Sequence, residues 1–254
     1  MSSSFIKIFL VTSFIALIST HVQANVVDEI EQTFDVNDET SFRLNNVNGS
    51  VVINGWERAI IKVTATITTD SQEARDNIVI DMQQLSNGVN VETRYKEQGR
   101  WKHNNSGKVE YEVMVPNNAT LSAIELVNGS LSITNIKGAV SAELVNGSIK
   151  AKGLASNSEL SSVNGSIKVS YSELAKALDK IDIETVNGSI KISMPKTLNA
   201  TVNAETMHGS IKTDFGLVAK KNLLTGRHLS GEIGRGDVRI TMESVNGSIK
   251  LMSD

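Results

Sequence analysis

The chain has 254 residues, with 25 Lys and Arg against 28 Asp and Glu, a formal net charge of −3 and no cysteine. A mildly acidic chain without a concentrated basic tract is a poor candidate for nucleic-acid binding. The absence of thiols excludes disulfides, thiolate metal sites and a lipid-modified N-terminal cysteine, so the core and its hydrogen-bond ladders must hold the fold.

Residues 1–24 read as a secretory signal. Lys7 supplies a thin positive region, Ile8 to Ile18 an apolar core, and Val22 to Ala24 a small-residue cleavage site. Eleven residues rising about 1.5 Å each are too short to cross a hydrocarbon core of about 30 Å. Cleavage after Ala24 is therefore expected. It would leave a mature chain without a membrane span, exported to the periplasm or the cell surface of a bacterium. Losing Lys7 takes the formal charge from −3 to −4.

Residues 25–118 are expected to form an irregular N-terminal β cap. It opens with a lead-in that carries an early edge strand. Strands follow near 40–54, 58–68, 77–84, 89–95 and 108–115, with a turn at Ser86. One or two helical turns over 70–77 would be capped by Asp70 or Ser71, and residues 96–107 form a polar loop. Residues 119–254 are the regular part, in repeats of 18 to 23 residues. A short helix is expected over 172–180 and an irregular insertion over 215–228.

The regular part is written around one tetrapeptide. VNGS begins at Val47, Val127, Val145, Val163, Val186 and Val245, and a variant, MHGS, at Met207. Two and four residues before each Asn, and three and five after it, stand inward-type residues such as Leu126 and Ile124, or Ile149 and Ala151. This alternation makes each flank a strand with one buried face. The turn residues would be Asn48, Gly49, Asn128, Gly129, Asn146, Gly147, Asn164, Gly165, Asn187, Gly188, Gly209, Asn246 and Gly247, with glycine supplying the φ > 0 conformations of a tight reversal.

Two architectures fit a strand–turn–strand unit. A meander of hairpins would place Glu125, Glu143, Glu184, Glu205 and Glu243 across from Lys150, Lys168, Lys191, Lys212 and Lys250 as cross-strand pairs. A β-solenoid would stack equivalent positions about 4.8 Å apart, which alone explains why successive units carry the same residue at the same place. That identity favours the solenoid. Leu229 to Ile233, LSGEI, then reads as a degenerate coil within the 38-residue interval before the last VNGS.

The stretches FRLNNVNGSVVINGWERAIIKVTATI, VEYEVMVPNNATLSAIELVNGSLSI and HLSGEIGRGDVRITMESVNGSIKL resemble, in that order, the bacterial "putative adhesin" β-strand-repeat family, a domain of unknown function. The resemblance covers nearly all of residues 40–254. It implies an all-β fold, a single-stranded right-handed β-solenoid (β-helix), in exported or cell-envelope proteins. It brings no catalytic residues.

Candidate chemistry is sparse. His21, His103, His208 and His228 share no ligand spacing, so no metal and no cofactor is expected. GEIGRG at Gly231 to Gly236 opens no helix, which sets aside a nucleotide loop; the degenerate repeat accounts for its glycines. A pectinase-like enzyme would need clustered carboxylates, yet Asp179, Asp182, Asp214, Asp237 and Asp254 share no repeat position. The RGD tripeptide at Arg235 to Asp237 reads as a Gly-rich turn before it reads as an integrin ligand. The surfaces with most promise are the lysine column, Lys150, Lys168, Lys191, Lys212 and Lys250, and Trp101 in the polar loop for a glycan. A solvated edge balanced by nearby glutamates is the plainer account of that column.

The expected protein is a non-enzymatic exported solenoid acting as a binding or structural module of the envelope. Its partner would be a surface glycan or an envelope protein. The alternative is a periplasmic stress or assembly protein working through protein contacts, and the third reading is a polysaccharide-active enzyme. The last coil, ending in SIKLMSD, is expected to be uncapped and open to end-to-end pairing of copies.

Overall fold

The computed structural model describes residues 25–37, 39–96, 107–172, 174–221 and 226–254. The expected signal over 1–24 and most of the polar loop lie outside them. The described residues are all-β, in two mixed sheets of ten and eleven strands, with one five-residue helix at Gln72–Asp76. Ser71, not Asp70, caps that helix by accepting a bond from the Ala74 N–H at 3.2 Å.

Each VNGS unit sends its first strand into the eleven-stranded sheet and its second into the ten-stranded sheet, as with Val140–Asn146 and Ile149–Leu154. Units pair in parallel and in register, with Asn146 opposite both Asn128 and Asn164, and Lys168 opposite both Lys150 and Lys191. The unit is thus one coil of a solenoid-like stack and not a hairpin. Inward residues such as Ile124, Leu144, Ile167 and Ile192 join one continuous core. Antiparallel strands flank the parallel ladders at both ends, so the stack is two mixed sheets and not one regular helix.

The strands of the N-terminal part form at Val26–Asp35, Ser41–Asn48, Val51–Trp56, Ile60–Thr69, Ile78–Leu85, Gly88–Tyr95 and Gly107–Pro116. Ser86 and Asn87 make the tight turn between two of them. Val26–Asp35 is the edge of the ten-stranded sheet.

The order of the coils departs from the order of the sequence. The coil of Val238–Asn246 and Ile249–Ser253 lies between the coil of Lys180–Asn187 and Ile190–Met194 and the coil of Ala200–His208 and Ile211–Thr213. At the other end, Ser41–Asn48 and Val51–Trp56 lie between Gly88–Tyr95 with Gly107–Pro116 and Thr120–Asn128 with Leu131–Thr134. The expectation of an open last coil is therefore overturned. Its strand Ile249–Ser253 is interior, paired along its length with Ile190–Met194 and over Ile249–Leu251 with Ile211–Thr213, so it is not the terminal coil that end-to-end pairing would need.

LSGEI is not a coil either. Arg227–Ile233 runs antiparallel to Ala200–His208 and covers the edge of the eleven-stranded sheet. The chain then crosses over Ala200–His208 through a turn in which Gly234 and Gly236 take φ of 61° and 74°. Asn199 holds that crossover: its Oδ1 accepts from Arg235 N–H at 3.1 Å and its carbonyl from Val238 N–H at 3.1 Å. Gly234 and Gly236 serve this return and Gly231 lies within the antiparallel strand, so none of the glycines of GEIGRG belongs to a degenerate repeat.

The helix expected over 172–180 is absent from the described residues there. Ala175 N–H donates to Ala155 O at 2.8 Å, Leu178 N–H donates to Ala175 O at 3.0 Å, and Leu178 is buried. The turn held by these two bonds keeps Leu178 in the core.

The repeat glycines also serve a different purpose from the one expected. Among those of the seven repeat units, only Gly49 and Gly147 have φ in the left-handed region, at 123° and 156°. The chain bends from one sheet to the other at these residues and does not reverse. Glycine is required because the coils touch there. A Cβ on Gly129, Gly147, Gly165, Gly188, Gly209 or Gly247 would lie 1.7–2.0 Å from a glycine carbonyl oxygen of the adjacent coil.

Candidate functional site

The stacking turns each repeat position into a column of side chains. At the corner, each Asn donates from Nδ2 to the Oδ1 of its neighbour: Asn128 to Asn48, Asn146 to Asn128, Asn164 to Asn146, Asn187 to Asn164 and Asn246 to Asn187, all at 2.8–2.9 Å. His208 stands opposite Asn246 and ends the column. Beneath it, the buried hydroxyls of Ser162, Thr185, Ser244 and Thr206 donate to glycine carbonyls of adjacent coils at 2.8–3.0 Å. These columns are structural, and they make the outer faces rigid and periodic.

The outer face of the ten-stranded sheet carries the lysines. Their order is Lys150, Lys168, Lys191, Lys250, Lys212, with Lys250 inserted between Lys191 and Lys212. None forms an ion pair among the described residues. The glutamate column is on the other sheet, so it does not balance these charges by contact. Beside the lysines runs a serine column, in which Ser189 N–H donates to Ser166 Oγ at 3.1 Å and Ser248 N–H to Ser189 Oγ at 3.2 Å.

The outer face of the eleven-stranded sheet carries the acids, with Glu125 opposite Glu143, and Glu243 opposite both Glu184 and Glu205. Burial, and then the carboxylates of Asp182, Glu243 and Glu159, raise the Glu184 carboxyl above its ordinary range. Glu205 meets the His228 imidazole at 3.3 Å.

One column of this face escaped the sequence reading. Val127, Val145, Val163, Val186 and Val245 are 36–41 % exposed and Met207 is 53 % exposed. They form an apolar ridge beside the acids, and between the two lies a groove of about 500 Å³. The signal was available in the alternation: the residue before each Asn has the same outward parity as the glutamate three before it.

Trp101 lies outside the described residues. Arg235 and Asp237 of the RGD turn bind each other, Arg235 donating to Asp237 Oδ2 at 2.7 and 3.1 Å. No group of three or more His, Asp or Glu able to hold a metal occurs among the described residues. None of their helices is long and apolar enough to cross a membrane.

Stacked in-register coils with a fixed Asn-Gly corner define a repeat-built β fold. The family described as Toastrack DUF4097 matches residues 103–252, and the chain belongs to it. Among solved structures, a "putative cell adhesion protein" from Clostridium sporogenes is 17% identical with a TM-score of 0.51, over 89% of this chain and 100% of that one. A "putative adhesin" from Bacteroides fragilis is 12% identical with a TM-score of 0.40, over 88% and 97% of the two chains. A "putative lipid binding protein" from Parabacteroides distasonis is 10% identical with a TM-score of 0.32, over 88% and 96%. The first of these shows the shared fold. No curated protein matches the sequence.

Proposed function

We propose that the protein is a non-catalytic, exported binding module of the bacterial envelope whose lysine column grips a periodic polyanion such as an acidic surface glycan. The observation that carries this reading is the run of five lysines in one column, none of them ion-paired among the described residues. Neighbouring strands lie about 4.8 Å apart, so the column is a straight row of ammonium groups with hydroxyls beside it. Such a row gains affinity by adding weak contacts along one polymer, and salt weakens it. The adhesive role named for the Clostridium sporogenes relative accords with this reading, as does the signal expected over 1–24. The winding is taken as right-handed, the hand that parallel crossovers adopt.

The test is titration with polygalacturonate at low and high salt. The reading expects saturable binding that is lost when Lys168, Lys191 and Lys250 are all changed to Gln. Equal binding by that variant would refute it. Fractionation of the native host followed by protease shaving tests the location; a cytoplasmic protein would end the envelope reading. The apolar ridge on the opposite sheet favours a second reading, an assembly role through protein contacts.

A further inference from the structure

We propose that the groove on the eleven-stranded sheet, bordered by Val186, Val245 and Met207 and by Glu184, Glu243 and Glu205, is a docking site for a cationic amphipathic peptide segment. This inference is independent of the lysine face and stands or falls separately.

The apolar half of the argument is the ridge. Nine large hydrophobic residues are exposed among the described residues, and six of them stand in this single column. Isolated exposed apolar residues are ordinary, whereas a contiguous stripe rimmed by polar groups marks an interaction surface. The stripe is also rigid, because each Val precedes an Asn locked into the corner ladder and follows a buried hydroxyl or leucine.

The charged half is the frustration of the acids. Glu184, Glu243 and Glu205 stack at the strand spacing; Glu159 stands beside them, as does Asp182, which is itself ion-paired to Lys180 at 3.1 Å. Among the described residues neither Glu184 nor Glu243 has an ion pair, and only His228 approaches Glu205, at 3.3 Å. Arg227 reaches the groove from the antiparallel strand at one end of the row. Burial and like-charge neighbours already disfavour the ionised Glu184. A partner that brings cations relieves this repulsion, and a partner that brings apolar side chains covers the ridge.

The chemistry excludes the obvious competitors. Anions and fatty acids meet the carboxylates. The face is not self-complementary, since two copies meeting ridge to ridge would oppose like charges. A purely hydrophilic polycation leaves the valines wet. A segment alternating Lys or Arg with Leu or Val satisfies both columns at once.

The probe is a fluorescent twelve-residue peptide of alternating Lys and Leu, followed by anisotropy in low and high salt. Saturable binding is expected, weakened about tenfold or more by the double change Glu184→Gln and Glu243→Gln. A comparable loss is expected from Val186→Thr with Val245→Thr, a pair that keeps strand preference. Thermal unfolding checks that each variant is folded. Changing Lys168 and Lys191 to Gln should leave peptide binding intact, which separates this site from the polyanion face. Absence of saturable binding, equally tight binding of plain oligolysine, or indifference to both groove variants would overturn the proposal.

Discussion

A Cβ on Gly165 would lie 1.8 Å from the carbonyl oxygen of Gly147, the glycine at the same place in the adjacent coil. No real contact is that short, so the two backbones fit only because Gly165 carries no side chain. Gly147 is held to the same condition by Gly129 O of the coil before it, 1.8 Å from where its own Cβ would lie. The tetrapeptide recurs because every coil meets the next at this point.

Gly165→Ala should therefore cost more than the usual 0.5–3 kcal/mol of a point change, about 4 kcal/mol or loss of folding. Urea unfolding of the purified variant measures it. A hairpin turn would tolerate the change far better, since Gly165 does not have a left-handed φ.

Asn164 both donates to Asn146 and accepts from Asn187. Asn164→Ala removes two exposed hydrogen bonds, each worth about 0.5–1.5 kcal/mol. A loss of about 1–3 kcal/mol in denaturant is expected. The end member Asn48 makes one such bond, and Asn48→Ala should cost about half as much.

The Thr185 hydroxyl donates to Gly165 O at 2.9 Å from a buried position. Thr185→Val keeps the shape and leaves the carbonyl short of a donor. A loss of about 1 kcal/mol is expected by thermal unfolding.

Glu184 gives a pH signature. Its folded pKa lies above the unfolded value, so the folded state holds the proton more tightly. The penalty is absent below the ordinary carboxylate range and complete above the raised value; stability contributed by this group falls as pH rises. One unscreened like charge about 4.8 Å away costs about 0.9 kcal/mol in water. Glu184→Gln should thus stabilise at pH 7 by a few tenths to about 1 kcal/mol, less in molar salt, and not at all in strong acid. Melting curves across pH and salt check each limb.

Removing residues 235–254 would take a coil from inside the stack and strand the coil of Ala200–His208. Trimming a sequential repeat protein leaves a shorter version of the same fold. Here the expected outcome is proteolytic loss of everything beyond Met194, seen by limited digestion and mass spectrometry.

Much of this was legible in the residues. Period-two alternation separated inward Ile167 and Val169 from outward Lys168, and repeated letters marked shared columns. The coil order was not legible, for the same reason: units that are nearly identical stack equally well on one another. Nothing in VNGS tells Val245 to sit beside Val186. Asn-Gly serves a hairpin and a coil corner alike, so the role of glycine waited for the distance to the neighbouring carbonyl. The valine ridge was hidden by habit, because valine in a strand reads as core. Its parity with Glu184 and Glu243 places it outside.

Both proposed binding faces depend on Lys250 and Val245 lying where the inserted coil puts them, and a chain with no cysteine permits a direct measurement. Lys191→Cys with Lys250→Cys places two thiols on adjacent strands, about 4.8 Å apart at Cα and within disulfide reach. Lys191→Cys with Lys212→Cys places them two strands apart, at about 9.6 Å and beyond it. Under mild oxidation the first pair should close and the second should not. Closure of the second pair alone would mean that the coils follow the order of the sequence, and it would contradict the account.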